Sequence, residues 1–234
     1  MAIFYQENID DLKLSETEVH HAVKVLRKKV GDEIQLVNGK GLLVNAEITI
    51  ADKKNCEYKI IQSTQFEEPR PNVHIAIAPT KNMDRYEWFA EKAVEIGVSE
   101  ITPILTENSE RKKLKLDRLQ NILISGMKQS KNYFLPKLNE LTAFSDFMKS
   151  VKETQKYIAH CETEENQHLI KWINTNNDIL VMIGPEGDFS QNEIQLAIKA
   201  GFKECSLGTS RLRTETAGVV ACEICNLAKY LNLK

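Results

Sequence analysis

Apolar residues recur along the chain with two different periods, and the change of period divides it. Val19, Ala22, Val23 and Leu26 follow helical spacing behind a Ser15–Glu18 pair with capping-box spacing, and Gly31 ends the run. Strand-like segments come next at residues 33–37, 42–50 and 56–61, with Asn38-Gly39 as the turn between the first two. One short helix with several antiparallel strands predicts a small β-barrel. Residues 62–72 lose periodicity and hold Pro69 and Pro71, so the boundary falls there and gives domains 1–71 and 72–234.

Beyond that boundary strands and helices alternate. Strands are expected at 74–78, 101–105, 156–159 and 179–183, and helices at 84–96, 116–127 and 144–151. Trp88, Phe89, Ala93 and Ile96 take the apolar positions of the first of these helices, which Gly97 stops. The pattern predicts an α/β domain, a mostly parallel sheet covered by helices on both faces. Ser190 and Glu193 form a capping box opening a helix that stops near Gly201, and residues 217–231 form the last helix after a short run at 206–208.

Polar residues crowd into two loops that interrupt this pattern. Ile183-Gly184-Pro185-Glu186-Gly187-Asp188 follows the apolar run 179–183, and Leu207-Gly208-Thr209-Ser210-Arg211-Leu212-Arg213-Thr214-Glu215-Thr216 precedes the last helix. Both are expected to leave the ends of neighbouring buried strands, where α/β proteins place ligands. The glycines let a ligand approach the backbone, while Glu186 and Asp188 disfavour a triphosphate. Neither a Walker ending nor a Gly-x-Gly-x-x-Gly fingerprint is present, so a neutral or cationic ligand fits better; a tight turn without any ligand is the alternative.

Composition narrows the class. The chain has 234 residues, 42% of them hydrophobic, and no apolar run of membrane-spanning length. A formal charge of -2 excludes a uniformly basic nucleic-acid binder and leaves room for local basic faces. Two such clusters stand out: Lys24, Arg27, Lys28 and Lys29 beside His20 and His21, and Arg111, Lys112 and Lys113 with Lys128 and Lys131. Ordinary solvated helix faces are the alternative reading. Five cysteines and no secretory pattern at the N-terminus point to reduced thiols in the cytoplasm. Cys222 and Cys225 fall inside the last helical pattern and are expected to pack in the core, and the histidines show no metal-ligand spacing.

Ile-Gly-Pro-Glu-Gly followed by Leu-Gly-x-x-x-Leu-Arg-Thr-Glu-Thr-Ala resembles the signature of the SPOUT methyltransferases, and more narrowly that of the RsmE family, which methylates N3 of a uridine in 16S ribosomal RNA. Residues 20–27 with Gly31-Asp32 resemble the opening of that family's PUA-like RNA-binding domain, and residues 91–98 with Ile101 and Pro103 its first methyltransferase helix and second strand. The resemblance implies a C-terminal trefoil knot, bound S-adenosylmethionine, 16S ribosomal RNA or the assembled small subunit as partner, a homodimer, and no metal. Where the family shows Glu-Gln-Ser-x-Arg this chain has Lys128-Gln129-Ser130-Lys131-Asn132, and Ser210 stands at a position commonly Arg, with Arg211 next to it.

Carried onto these residues, the cofactor is expected against Ile183, Gly184, Pro185 and Gly187 of the first loop and Leu207, Gly208, Leu212, Thr214 and Thr216 of the second. Uracil N3 must lose a proton, so Glu186 and Glu215 are candidate bases and Arg213 a candidate stabiliser of the developing charge, on a helix capped by Thr214 or Thr216. An Arg–Glu pair that merely holds the loop is the competing reading. Lys24, Arg27, Lys28, Lys29 and Arg211 are expected on the RNA. A SPOUT enzyme acting on tRNA or a 2′-hydroxyl, and a ribosome-binding protein without activity, remain open.

Overall fold

The alternation in the N-terminal third builds an antiparallel ladder with one face in a core. The computed structural model describes residues 2–161 and 167–231. Its first sheet has the order β1 (Ile3–Tyr5), β2 (Glu33–Val37), β3 (Leu42–Ala51) and β4 (Cys56–Gln65), with β1–β2 parallel and the other pairs antiparallel. Ile34 and Leu36 of β2 and Val44, Ala46 and Ile48 of β3 point into one cluster with Phe4, Leu14 and Tyr58. β4 runs on to Gln65, through residues read as linker, and stays paired with β3 across bulges at Asn45/Ala46 and Ile48/Ile50.

Helix α1 (Glu16–Val19) departs from its expected pattern in two ways. Ser15 Oγ accepts the Glu18 N–H, but the reciprocal half of the capping box is not made: the Ser15 N–H donates to Gln6 Oε1 and the Glu18 carboxylate turns elsewhere. The helix then continues as a π-turn over His20–Val25, with Leu26 N–H bonded to the His21 carbonyl. An i→i+5 turn shifts the phase of the face, so Val19 and Ala22 are buried while Leu26 is exposed.

The chain packs as two units, and a single cut does not separate them. Residues 1–68 and 124–135 form one, and 69–123 with 136–234 the other. Helix α2 (Met83–Ile96) lies in the second unit and α3 (Leu116–Ser130) ends in the first. The returning segment pairs with the β2–β3 turn: the Gly41 N–H donates to the Tyr133 carbonyl and the Leu135 N–H to that of Gly39, while the Tyr133 ring stacks on Phe66.

In the larger unit the sheet is parallel throughout, in the order β11 (Lys203–Cys205), β9 (Gln155–Ala159), β10 (Ile179–Ile183), β5 (Val73–Ile77), β6 (Glu100–Leu105) and β7 (Lys137–Leu138), with β8 (Thr142–Ala143) beside β6. β10 is buried at every position, as a strand covered on both faces must be. Leu180 and Met182 pack with residues of α4 (Phe144–Ser150) and α5 (Gln191–Lys199). On the opposite face α6 (Thr214–Tyr230) lies across α2 and β5. Gly218 permits that approach: a Cβ there would come within 2.6 Å of the Phe89 ring and 2.7 Å of Ile77. The expected strand at 206–208 is instead β11 at 203–205, and it is not a neighbour of β10, because β9 lies between. No helix among the described residues is long and apolar enough to cross a membrane.

Candidate active site

Parallel strands all end on the same edge, so the loops after β9, β10 and β11 converge there. They surround a cleft of about 770 Å³ lined by residues 159–161, 183–186, 188, 205–214 and 217. Ile183, Gly184, Pro185, Glu186, Leu207, Gly208, Leu212 and Thr214 stand on its wall together.

The acidic residues of the first loop are spent largely on shaping it. Glu186 Oε1 accepts the Lys81 N–H at 2.9 Å, and Asp188 accepts those of Cys161 at 2.8 Å and Phe189 at 2.8 Å. Asn108 donates to the carbonyls of Gly187 and Asp188, and a Cβ on Gly187 would meet Asn108 at 3.2 Å, so Gly187 faces Asn108 and is not on the cleft wall. Gly184 is needed for a different reason: its missing Cβ leaves space for the buried Phe189 ring, which would lie 3.0 Å away. The Ser190–Glu193 capping box is complete, and Glu193 Oε1 also takes the Glu107 N–H.

In the second loop Ser206 Oγ bridges the backbone of Gly208, whose φ of +138° is left-handed and whose Cβ position is open. The helix cap differs from expectation. Arg213 itself is the N-cap residue of α6, in extended conformation with no side-chain cap bond, and Thr214 and Glu215 already belong to the first turn.

Arg213 and Glu215 are not the pair that holds this loop. Glu215, 7% exposed, has Oε1 at 3.7 Å from Nε of Arg85 on α2, and its buried Oε2 has no hydrogen-bond partner. It faces a second groove of about 610 Å³, lined by Asp84, Arg85, Trp88, Arg211, Leu212, Arg213, Glu215 and Thr216. Arg211, Leu212 and Arg213 are the shared wall between groove and cleft, whereas Glu186 lines only the cleft and Thr216 only the groove. Trp88 was expected in the core of α2 but is 44% exposed.

The basic clusters are sorted as well. Lys24, Arg27 and Lys29 are exposed, and Lys28 Nζ donates to the Glu33 carbonyl. The second cluster is dispersed: Arg111 ties down the carbonyls of Thr80 and Lys81, and Lys128 and Lys131 lie in the smaller unit. Residues that sequence reasoning missed, Arg85, Lys81 and Asn108, reach the loops from α2 and from loops after other strands. No local spacing marks them.

A small β unit followed by a parallel sheet with a ligand-sized cleft at its carboxyl edge is an arrangement that many α/β enzymes share, and the family profiles narrow it to the RNA methyltransferases. A family profile described as RNA methyltransferase domain matches residues 67–226, and one described as RNA methyltransferase PUA domain matches residues 14–61. The chain belongs to the ribosomal RNA small subunit methyltransferase E family. It is 31% identical to the Synechocystis protein of that name over 214 residues, covering 89% of this chain and 70% of the relative. Among solved structures it is similar to a probable rRNA-methyltransferase from Porphyromonas gingivalis (37% identity, TM-score 0.93, all of both chains). It also matches a ribosomal RNA small subunit methyltransferase E from Neisseria gonorrhoeae bound to S-adenosylmethionine (28% identity, TM-score 0.87, 99% and 98% of the chains).

Proposed function

We propose that this protein transfers a methyl group from S-adenosylmethionine to N3 of a uridine in 16S ribosomal RNA, with the cofactor in the cleft and the target base beside Arg213 and Glu215. The observation that carries the reading is the unpartnered, buried Oε2 of Glu215 next to a wall shared with that cleft. A buried carboxylate oxygen without a partner costs roughly 1–3 kcal/mol, and a donor such as uracil N3–H would satisfy it.

The cleft suits the cofactor. Its volume of about 770 Å³ lies within the range of small-molecule sites, and the open Cβ position of Gly208 leaves backbone to be approached. Ile183, Gly184, Pro185, Leu207, Gly208, Leu212 and Thr214 would hold it, and when bound it supplies an electrophilic methyl group on a sulfonium. The residues of this chain do the rest. Glu215 accepts the N3 proton, and Arg213 presents its guanidinium to the uracil carbonyl that gains charge. Glu186, already holding the Lys81 N–H, serves the loop. Holding two reactants in place can supply roughly 7–11 kcal/mol of the barrier.

Exposed Lys24, Arg27 and Lys29 support phosphate-backbone binding by the smaller unit. Leu227, Tyr230 and Leu231, exposed on and just past α6, support a homodimer, and the family resemblance implies a trefoil knot. Nucleoside mass spectrometry of 16S ribosomal RNA from a strain lacking the gene tests the reading: 3-methyluridine should disappear and return on complementation. Its persistence would refute the assignment. Light scattering at micromolar concentration tests the dimer.

A further inference from the structure

We propose that Trp88, Arg85 and Glu215 form a seat for the target nucleobase, in which the Trp88 indole stacks on the ring and the guanidinium-flanked carboxylate selects uracil over cytosine. The inference rests on the uridine-N3 reading and adds to it the residues that hold the base.

Three observations meet in the groove. Trp88 is 44% exposed on a helix whose Tyr86, Phe89, Ala90, Ala93 and Val94 are buried, so a large flat apolar side chain stands at the mouth of the groove. Arg85 and Trp88 are three residues apart and share one helix face. Glu215 is nine-tenths buried, with Oε2 unpartnered and Oε1 3.7 Å from Arg85 Nε. Such an oxygen marks a place where a donor is missing.

The order of polar groups identifies the donor. Unstacked RNA bases are read on their Watson–Crick edges and stacked on aromatic side chains. The uracil edge runs acceptor, donor, acceptor, from O4 through N3–H to O2. A carboxylate with guanidinium groups beside it offers the complement, and Arg85, Arg213 and Glu215 all line this groove. Cytosine presents a bare acceptor at N3, which would face the carboxylate oxygen without a proton between them. Its 4-amino group would likewise turn a donor towards the guanidinium that suits O4, so the groove distinguishes the two pyrimidines at two positions of the edge. Because Arg211, Leu212 and Arg213 also line the cleft, a base seated here adjoins the methyl donor's site.

Two measurements test this. With small ribosomal subunits from a strain lacking the gene as substrate, Trp88→Ala should lower kcat/KM roughly tenfold or more, within the range of base–aromatic stacking. S-adenosylmethionine affinity should change less than about twofold, and Trp88→Phe should restore most of the loss. The second readout needs no turnover. The chain has two tryptophans, so in Trp172→Phe protein Trp88 is the only tryptophan and selective tryptophan excitation reports on it. Its fluorescence should be quenched by oligouridine at lower concentrations than by oligocytidine. Equal quenching by both, no quenching, or a Trp88→Ala protein that becomes monomeric and loses cofactor affinity would overturn the proposal. The product of the unaltered enzyme judges the underlying reading separately: methylation elsewhere on uridine with preferential oligouridine quenching would remove the N3 assignment and leave the seat standing.

Discussion

Glu18 and Lys128 lie 110 residues apart in the chain, and their side chains meet with Oε1 2.6 Å from Nζ. Glu18 is 5% exposed and its Oε1 also accepts the Tyr5 N–H at 3.1 Å, so the lysine ties the returning segment to the start of the chain. Breaking a buried pair leaves an uncompensated charge. Lys128→Ala should therefore destabilise the protein by roughly 3 kcal/mol in urea unfolding, and pairing it with Glu18→Gln should recover part of the loss. A loss below about 0.5 kcal/mol would mean that the pair behaves as an exposed one.

The two glycines of the cleft should separate binding from folding. Gly184→Val drives a side chain into Phe189, so it is expected to lower the melting temperature as well as cofactor affinity. Gly208→Ala adds a methyl at an open position with φ of +138°. It should weaken S-adenosylmethionine binding about tenfold, with the smaller loss of stability expected of a single strained residue, roughly 1–2 kcal/mol. Calorimetric titration alongside a melting curve distinguishes them, and unchanged affinity in Gly208→Ala would remove that residue from the cofactor site.

Arg213 is the N-cap residue of α6, exposed and without a side-chain cap bond, and its proposed role on the base can be tested directly. A lysine keeps the charge and loses the planar fork. Arg213→Lys should lower kcat at least about tenfold with little change in cofactor affinity, and raising pH should partly restore the rate by ionising the uridine directly. A deficit that is the same at every pH would assign Arg213 to the structure of the loop.

The foot of the larger sheet holds a separate contact between His74 Nδ1 and the Glu153 carboxylate. Burial pushes the Glu153 carboxyl up, but the hydrogen bond and charge of His74, with the backbone N–H groups of Glu153 and Lys152, outweigh it and hold the group at about 2, against an ordinary 4.5. A lowered carboxyl stabilises the fold fully above the ordinary value and loses that contribution as pH falls towards the folded value. Acid unfolding of the wild type and Glu153→Gln should thus differ above pH 4.5, with the wild type the more stable, and converge as pH falls towards about 2. Parallel curves over that window would show that His74 and Glu153 do not interact as described.

Local chemistry made much of this legible. β10 falls at 179–183 as its unbroken apolar run predicts, and the Ser190 capping box opens α5 at Gln191. Where a rule depends on phase it failed: the π-turn after Val19 carries Leu26 out of the core. Trp88 obeys helical spacing and is nevertheless exposed, because hydropathy does not distinguish an apolar side chain for the core from one at a groove. The partner of Glu215 was illegible for a different reason. Arg85 comes from a helix more than a hundred residues earlier, and only the tertiary fold brings the two together.

The return of residues 124–135 to the smaller unit bears on how the protein is made. A nascent chain emerges amino end first, and domains generally fold as units in that order. Here the amino-terminal unit is still incomplete when β5, α2 and β6 have already left the exit tunnel, because Tyr133 has yet to stack on Phe66 and Lys128 to neutralise Glu18. Its completion is coupled to synthesis of the catalytic sheet, so a ribosome that stalls before residue 135 holds a modifier of ribosomal RNA that has not finished building either of its halves.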